Sequence, residues 1–261
     1  MPETFFGWVF FLINEYGMLF LQGTVNTLII AISGTILGFF IGLLVAIQRT
    51  IPILKNDSLL KKALLKFLQC ILSVYVEVVR GTPMIVQSMI VYYGALQYFN
   101  IDMPAMTAAI LIVSFNTGAY MAEIIRGGII SVDKGQTEGA HSIGMTHWQT
   151  MTCVVLPQAV RNIIPSIGNE FVVNIKDSSV LNVISVAELF FMSKSAAGTY
   201  LKYFEVFFIT GCIYLVLTLS ITKILGVIEK YLDGPDEYVI HGSQSNSSAV
   251  IHIHKHDGGE S

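Results

Sequence analysis

Long apolar runs separated by short charged stretches set the rhythm of this chain. From Gly17 to Gln48 there are 32 successive residues without a charge, more than the roughly 20 an α-helix needs to cross a hydrocarbon core. The run predicts a span over about residues 24–48. The aromatic stretch Met1 to Tyr16 suits an irregular segment at the outer interface. Gly34, Gly38 and Gly42 recur at every fourth position, a small face that lets a second helix approach closely.

A second apolar system begins amphipathically at Leu59, passes through YVEVVRGTP and stays uncharged from Gly81 to Ile101. It is too long for one straight crossing. A break is predicted at Gly81-Thr82-Pro83, where the residue before proline is disfavoured in a helix, with the crossing over about residues 67–97. Glu77 and Arg80 are expected to pair near the inner surface. A third span, about residues 104–128, ends in YMAEIIRGGI, whose Glu123 and Arg126 stand at pairing distance on one helix face.

The fourth, about residues 157–175, carries Arg161, Asn162, Asn169, Glu170 and Asn174. So polar a helix cannot face lipid along its whole length and must line a cavity or pack inside a bundle. Leu189 to Glu205 is expected as helix and loop on the outer surface, and the last span over about residues 203–230. Residues 233–261 turn to Gly, Pro, Ser, Asn and His and are expected to form a disordered tail.

Composition fixes the class. With 53% hydrophobic residues, 13% charged and a mean hydropathy of +0.65, the chain is an all-α polytopic membrane protein of about five transmembrane helices, forming one membrane domain over residues 1–232. Arg49, Lys55, Lys61, Lys62 and Lys66 crowd the first loop and place it in the cytoplasm. The N-terminus is then outside and, after an odd number of spans, the C-terminus inside. No basic residue precedes Arg49, so no cleaved signal peptide is expected.

The net charge of −3 is uninformative, but the lysines and arginines are dispersed and form no basic patch with interleaved aromatics, so nothing suggests a nucleic-acid surface. Cys70, Cys153 and Cys212 are too scattered for a disulfide framework or a metal site. His241, His252, His254 and His256 lie in a tail without a fixed scaffold, so no metal site is assigned.

The longest polar interruption that still reads as structured runs from Asp133 to Pro165. Asp133 is a suitable N-cap for a helix over residues 134–150. Along it Ala140, Ile143, Gly144, Trp148 and Met151 share a face, and Leu156-Pro157 opens the next element. Glu138-Gly139-Ala140, Gly144 and Leu156-Pro157 resemble the EAA motif of the permease subunits of bacterial ATP-binding-cassette (ABC) importers. Gly139 stands where that motif usually has alanine, at a helix-propensity cost of roughly 1 kcal/mol.

YVEVVRGTPMIVQ, YMAEIIRGGI and NEFVVNIKDSSVLNVISVAEL are similar to stretches of the polar amino-acid subgroup. The resemblance implies a type I importer permease fold like that of MetI, with a cytoplasmic coupling helix containing Glu138, Gly139, Ala140, Gly144 and Trp148 and followed by Leu156-Pro157. It also implies two ATPase subunits, a second permease copy or sibling, and an external amino-acid-binding protein. The candidate path residues are Lys176, Asp177, Ser178, Glu170 and Glu188, with Asn116 and Gln87. Lys176 and Asp177 either meet the two charges of a zwitterionic substrate or pair locally as gating groups.

No G-x-x-x-x-G-K-[ST] loop occurs, so ATP and Mg are expected on a partner, with no cofactor in this chain. HExxH and GxSxG are absent too, which disfavours an enzyme. The competing reading is a stand-alone secondary transporter or channel, which predicts ion-coupling acids and inverted repeats. A weaker one is a non-transporting anchor.

Overall fold

The computed structural model of this chain describes residues 2–51, 53, 58–233, 237–241 and 250–254, with side chains described as far as residue 231. Lys55 and His256 lie outside the described residues. The first helix, α1 (Phe5–Thr50), starts where Thr4 accepts the Gly7 N–H at 3.2 Å and continues for 46 residues. The expected boundary near residue 24 is therefore corrected: the aromatic N-terminal segment belongs to the helix.

Two causes act together. No proline lies between Pro2 and Pro52, and Trp8, Leu12 and Phe20 bury themselves against Leu189, Ala196, Ala197, Val206 and Ile209 near the end of the chain. If straight, α1 measures about 69 Å, over twice the ~30 Å hydrocarbon core. It must cross obliquely or extend beyond one surface.

The glycine face of α1 rests on α4 (Ala105–Ile130). Gly34 meets Val113, Gly38 meets Thr117 and Gly42 meets Met121, so the two helices run parallel and in step. A Cβ on Gly38 would stand 2.7 Å from that of Thr117, which is why only glycine fits this contact. Glu123 closes the far end of the pair, accepting from Arg49 at 2.5 Å and from Arg126 at 2.7 Å. Between α1 and α4 in sequence come α2 (Leu59–Gly81), capped by Ser58, and α3 (Met84–Phe99). They are separated at Thr82-Pro83, and α3 ends on Asn100 in the left-handed region.

Beyond α4 lie α5 (Lys134–Ser142) and α6 (His147–Thr150). A π-helical turn over Met151–Val155 then leads into α7 (Leu156–Asp177) and a 3-10 turn over Ser178–Ile184. The π turn answers Pro157, which cannot donate to an i−4 carbonyl and would clash with it in regular helix. After a break, α8 (Leu189–Tyr200) leaves the helical run at 56°.

Ser193, Ala196 and Ala197 of α8 are buried among the N-terminal part of α1 and α9 (Tyr203–Asp233). The expected outer-surface helix, α8, is thus packed within the bundle, and with the helical run before it forms a bent pair that fits one broken crossing or a re-entrant loop. Among the described residues α1, α4 and α9 are long and apolar enough to cross a membrane, and there are four such crossings if the bent pair that contains α7 and α8 counts as one span. In the segment expected to be disordered, β1 (Glu237–His241) and β2 (Val250–His254) pair antiparallel, with Val239 opposite His252. Both strands are rich in Val and Ile, residues with strand preference that the Gly, Ser and Asn of the surrounding tail outnumber.

Candidate functional site

The α2–α3 break, the middle of α4 and the upper part of α7 enclose a cavity of about 420 Å³. On α7, residues Glu170, Val173, Asn174 and Asp177 fall on one face at helical spacing and form one wall. Asn116 and Tyr120 of α4 form a second, and Arg80 with Thr82 and Pro83 a third. Because Pro83 ends α2 a turn early, Arg80 is at a helix end, where its side chain can reach across. Its Cζ stands 5.5 Å from the centre of the Tyr120 ring, within the range of a cation–π contact.

Of the path residues named from sequence, Glu170, Asp177 and Asn116 line this cavity. Gln87 is just behind it: its Oε1 accepts from the Asn116 Nδ2 at 3.0 Å, while its Nε2 donates to the Val79 and Thr82 carbonyls. Gln87 therefore ties the α2–α3 break to α4. Lys176 is exposed and does not line the cavity.

Ser178 is buried, its hydroxyl donating to the Ile175 carbonyl at 2.9 Å, and it does not line this cavity. Glu188 does not line it either: fully buried, it caps α8 by accepting from the Phe190 and Phe191 N–H groups at 2.9 and 2.6 Å and from the Tyr214 hydroxyl at 3.1 Å. A carboxylate so placed satisfies the orphan donors of a helix start and has no face left for a solute.

The expected Glu77–Arg80 pair is corrected as well, because Arg80 turns toward Tyr120 and the cavity. Glu123–Arg126 does form, and Arg49 joins it from a position 74 residues away, a partner that no local spacing reveals. Arg80 and Tyr120 line the cavity without being named for it from sequence, whereas Asn174 belongs to the polar helix expected to line a cavity or pack inside a bundle. The helix-breaking Thr82-Pro83 after Arg80 was the available signal.

A larger groove of about 790 Å³ is lined by Leu37, Phe40, Val86, Ile90 and other apolar residues of α1 to α4. With no charged lining, it offers little to a polar solute. Among the described residues no cluster of three or more His, Cys, Asp or Glu is placed to hold a metal.

The polar interruption is not one helix. Asp133 caps α5 by accepting the Gly135 N–H at 2.6 Å, but α5 stops at Ser142 and the chain turns at Gly144, φ 84°. A new start follows at Thr146, where Thr146 and Gln149 form a reciprocal capping box. The expected helix over 134–150 is corrected to α5, a left-handed glycine and α6. Ala140 is buried, while Glu138 and Gly139 are solvent-facing. Ile143 and Trp148 are 78% and 74% exposed, two large apolar side chains on a polar segment.

Broken helical spans around an ionisable cavity define a solute-conducting membrane subunit. The family of binding-protein-dependent transport system inner membrane components matches residues 58–233, and this chain belongs to it. It is a multi-pass bacterial inner-membrane protein and the permease component of an ABC importer.

The glutamine transport system permease protein GlnP of Escherichia coli strain K12 is 34% identical over 215 residues, covering 81% of this chain and 92% of that protein. The L-cystine permease TcyB of Bacillus subtilis is 38% identical over 200 residues, covering 76% and 82%. The arginine permease ArtQ of the same organism is 34% identical over 216 residues, covering 83% and 93%. A crystal structure of an amino acid ABC transporter with histidines shares 37% identity at a TM-score of 0.77, covering 88% of this chain and 99% of that one. The inward-facing MetNI methionine transporter, at 18% identity and a TM-score of 0.67 over 84% and 98%, shares the fold.

Proposed function

We propose that this permease conducts a polar amino acid, and that the cavity between the α2–α3 break, α4 and α7 is its path. Relatives named for glutamine, cystine and arginine support the class. The observation that carries the reading is the convergence of Arg80, Glu170 and Asp177 on one cavity. A guanidinium suits an α-carboxylate, and either acid suits an α-ammonium. The second acid remains, which favours a cationic side chain over an anionic one.

The working assembly contains two permease chains, identical or sibling. An external binding protein delivers the substrate, and cytoplasmic ATPase subunits bind ATP and Mg. Those subunits seat on α5 and α6, where Ile143 and Trp148 give them an apolar anchor. ATP-driven closure displaces this segment, and the rigid helices above it exchange inward-open and outward-open states.

ATP-driven uptake of labelled arginine by the assembled complex in proteoliposomes tests the path. Arg80→Gln and Asp177→Asn are each expected to raise KM about tenfold, the consequence of losing one charge-assisted contact. Unchanged kinetics in both would remove this cavity from the path.

A further inference from the structure

One rotation of α7 decides what the cavity presents. Glu170 and Asp177 line it while Lys176, one residue away, is outside. Successive residues are about 100° apart around a helix, so a turn of that size would replace Glu170 and Asp177 by Asn169 and Lys176. Two negative charges would give way to one positive.

The α7 ladder alone does not fix this rotation relative to its neighbours, and Pro165 removes one of its hydrogen bonds two turns below Asn174. Asn174 does fix it. Its Nδ2 donates to Thr35 Oγ1 of α1 at 2.9 Å, and its Oδ1 accepts from Thr117 Oγ1 of α4 at 3.0 Å. All three side chains are buried, and they meet beside Gly34 and Gly38, where α1 and α4 are closest. A buried amide bonded at both ends to two different helices resists rotation, since turning α7 leaves donors and acceptors unpaired.

We propose that Asn174 is a positioning residue that sets substrate specificity: its bridge from Thr35 to Thr117 holds α7 in the rotation that turns Glu170 and Asp177, and not Lys176, into the cavity. The proposal rests on that cavity being the substrate path. Thr35 and Thr117 do not line the cavity, so they allow the bridge to be cut without touching its wall.

The experiment is equilibrium binding of labelled arginine to the assembled permease–ATPase complex in nanodiscs without binding protein, with lysine, glutamine and glutamate as competitors. Thr35→Val with Thr117→Val is expected to weaken arginine binding about tenfold, the scale of two lost buried hydrogen bonds, and to improve competition by glutamate. Adding Lys176→Gln removes the gain for glutamate. Thr35→Ser with Thr117→Ser keeps both hydroxyls and restores the wild-type order.

An assembled valine pair with unchanged arginine affinity and competitor order overturns the proposal. If the pair fails to assemble, each single valine variant is measured, and no shift in either overturns it equally. Glu170→Gln and Asp177→Asn separate the two levels: if neither weakens arginine binding, the cavity reading has failed, and the proposal with it.

Discussion

Single side chains in this permease do work that their neighbours in sequence do not announce. Glu188 is the clearest case. From sequence it is one of several acids beside a polar span; in the fold it is a helix cap, locked by two backbone amides and Tyr214. Glu188→Gln keeps the shape but has only one oxygen acceptor, and Glu188→Ala keeps neither contact. Loss of a cap costs about 1–2 kcal/mol, so Glu188→Ala is expected to lower the thermal midpoint of the detergent-solubilised protein by several degrees, with Glu188→Gln in between. A midpoint equal to wild type in both would show that α8 does not depend on this carboxylate. Glu123 illustrates the opposite limit: its i,i+3 partner Arg126 was legible, whereas Arg49 became its partner only through the parallel packing of α1 on α4.

At the scale of elements, apolar runs foretold most helices, because a backbone in lipid must satisfy its own hydrogen bonds. Ends were less legible. The start of α1 was misplaced because aromatic residues suit both an interface and a helix, and its partners Leu189 and Ala196 lie far away in the chain. The split between α5 and α6 did have a local signal: Gly144 followed by Thr146-x-x-Gln149 is a turn leading into a capping box. Gly144 has nothing within 4 Å of where a Cβ would stand, so substitution there acts through backbone strain and not through crowding.

Gly144→Asn, tolerated in the left-handed region, is therefore expected to retain uptake. Gly144→Val, strained there by about 1–3 kcal/mol, is expected to lose most uptake while still reaching the membrane. Trp148→Ala is expected to weaken co-purification of the ATPase subunit. Equal uptake by the valine and asparagine variants would sever the turn geometry from transport.

For the whole molecule, hydropathy and the basic loop predict orientation as well as crossings. Cys153 sits in the π turn beside α6 and is exposed. In a variant whose other cysteines, Cys70 and Cys212, are replaced by serine, a membrane-impermeant maleimide is expected to label Cys153 in inside-out vesicles and not in intact cells. Labelling from outside would invert the whole arrangement. The cavity was half legible. The polar face of α7 showed that something other than lipid faced it, but which charges entered depended on a helix rotation set by Thr35 and Thr117, far from α7 in sequence.

Broken membrane helices commonly offer the amide pole of a half-helix to a cargo's carboxylate. In this protein that pole, at the start of α8, is occupied by the chain's own Glu188. An amino acid passing through must find its counter-ion elsewhere, and Arg80 is the cation that lines the cavity. The bend before α8 is thus closed by the chain itself, and the proposed path leaves recognition of a carboxylate to a guanidinium on another helix.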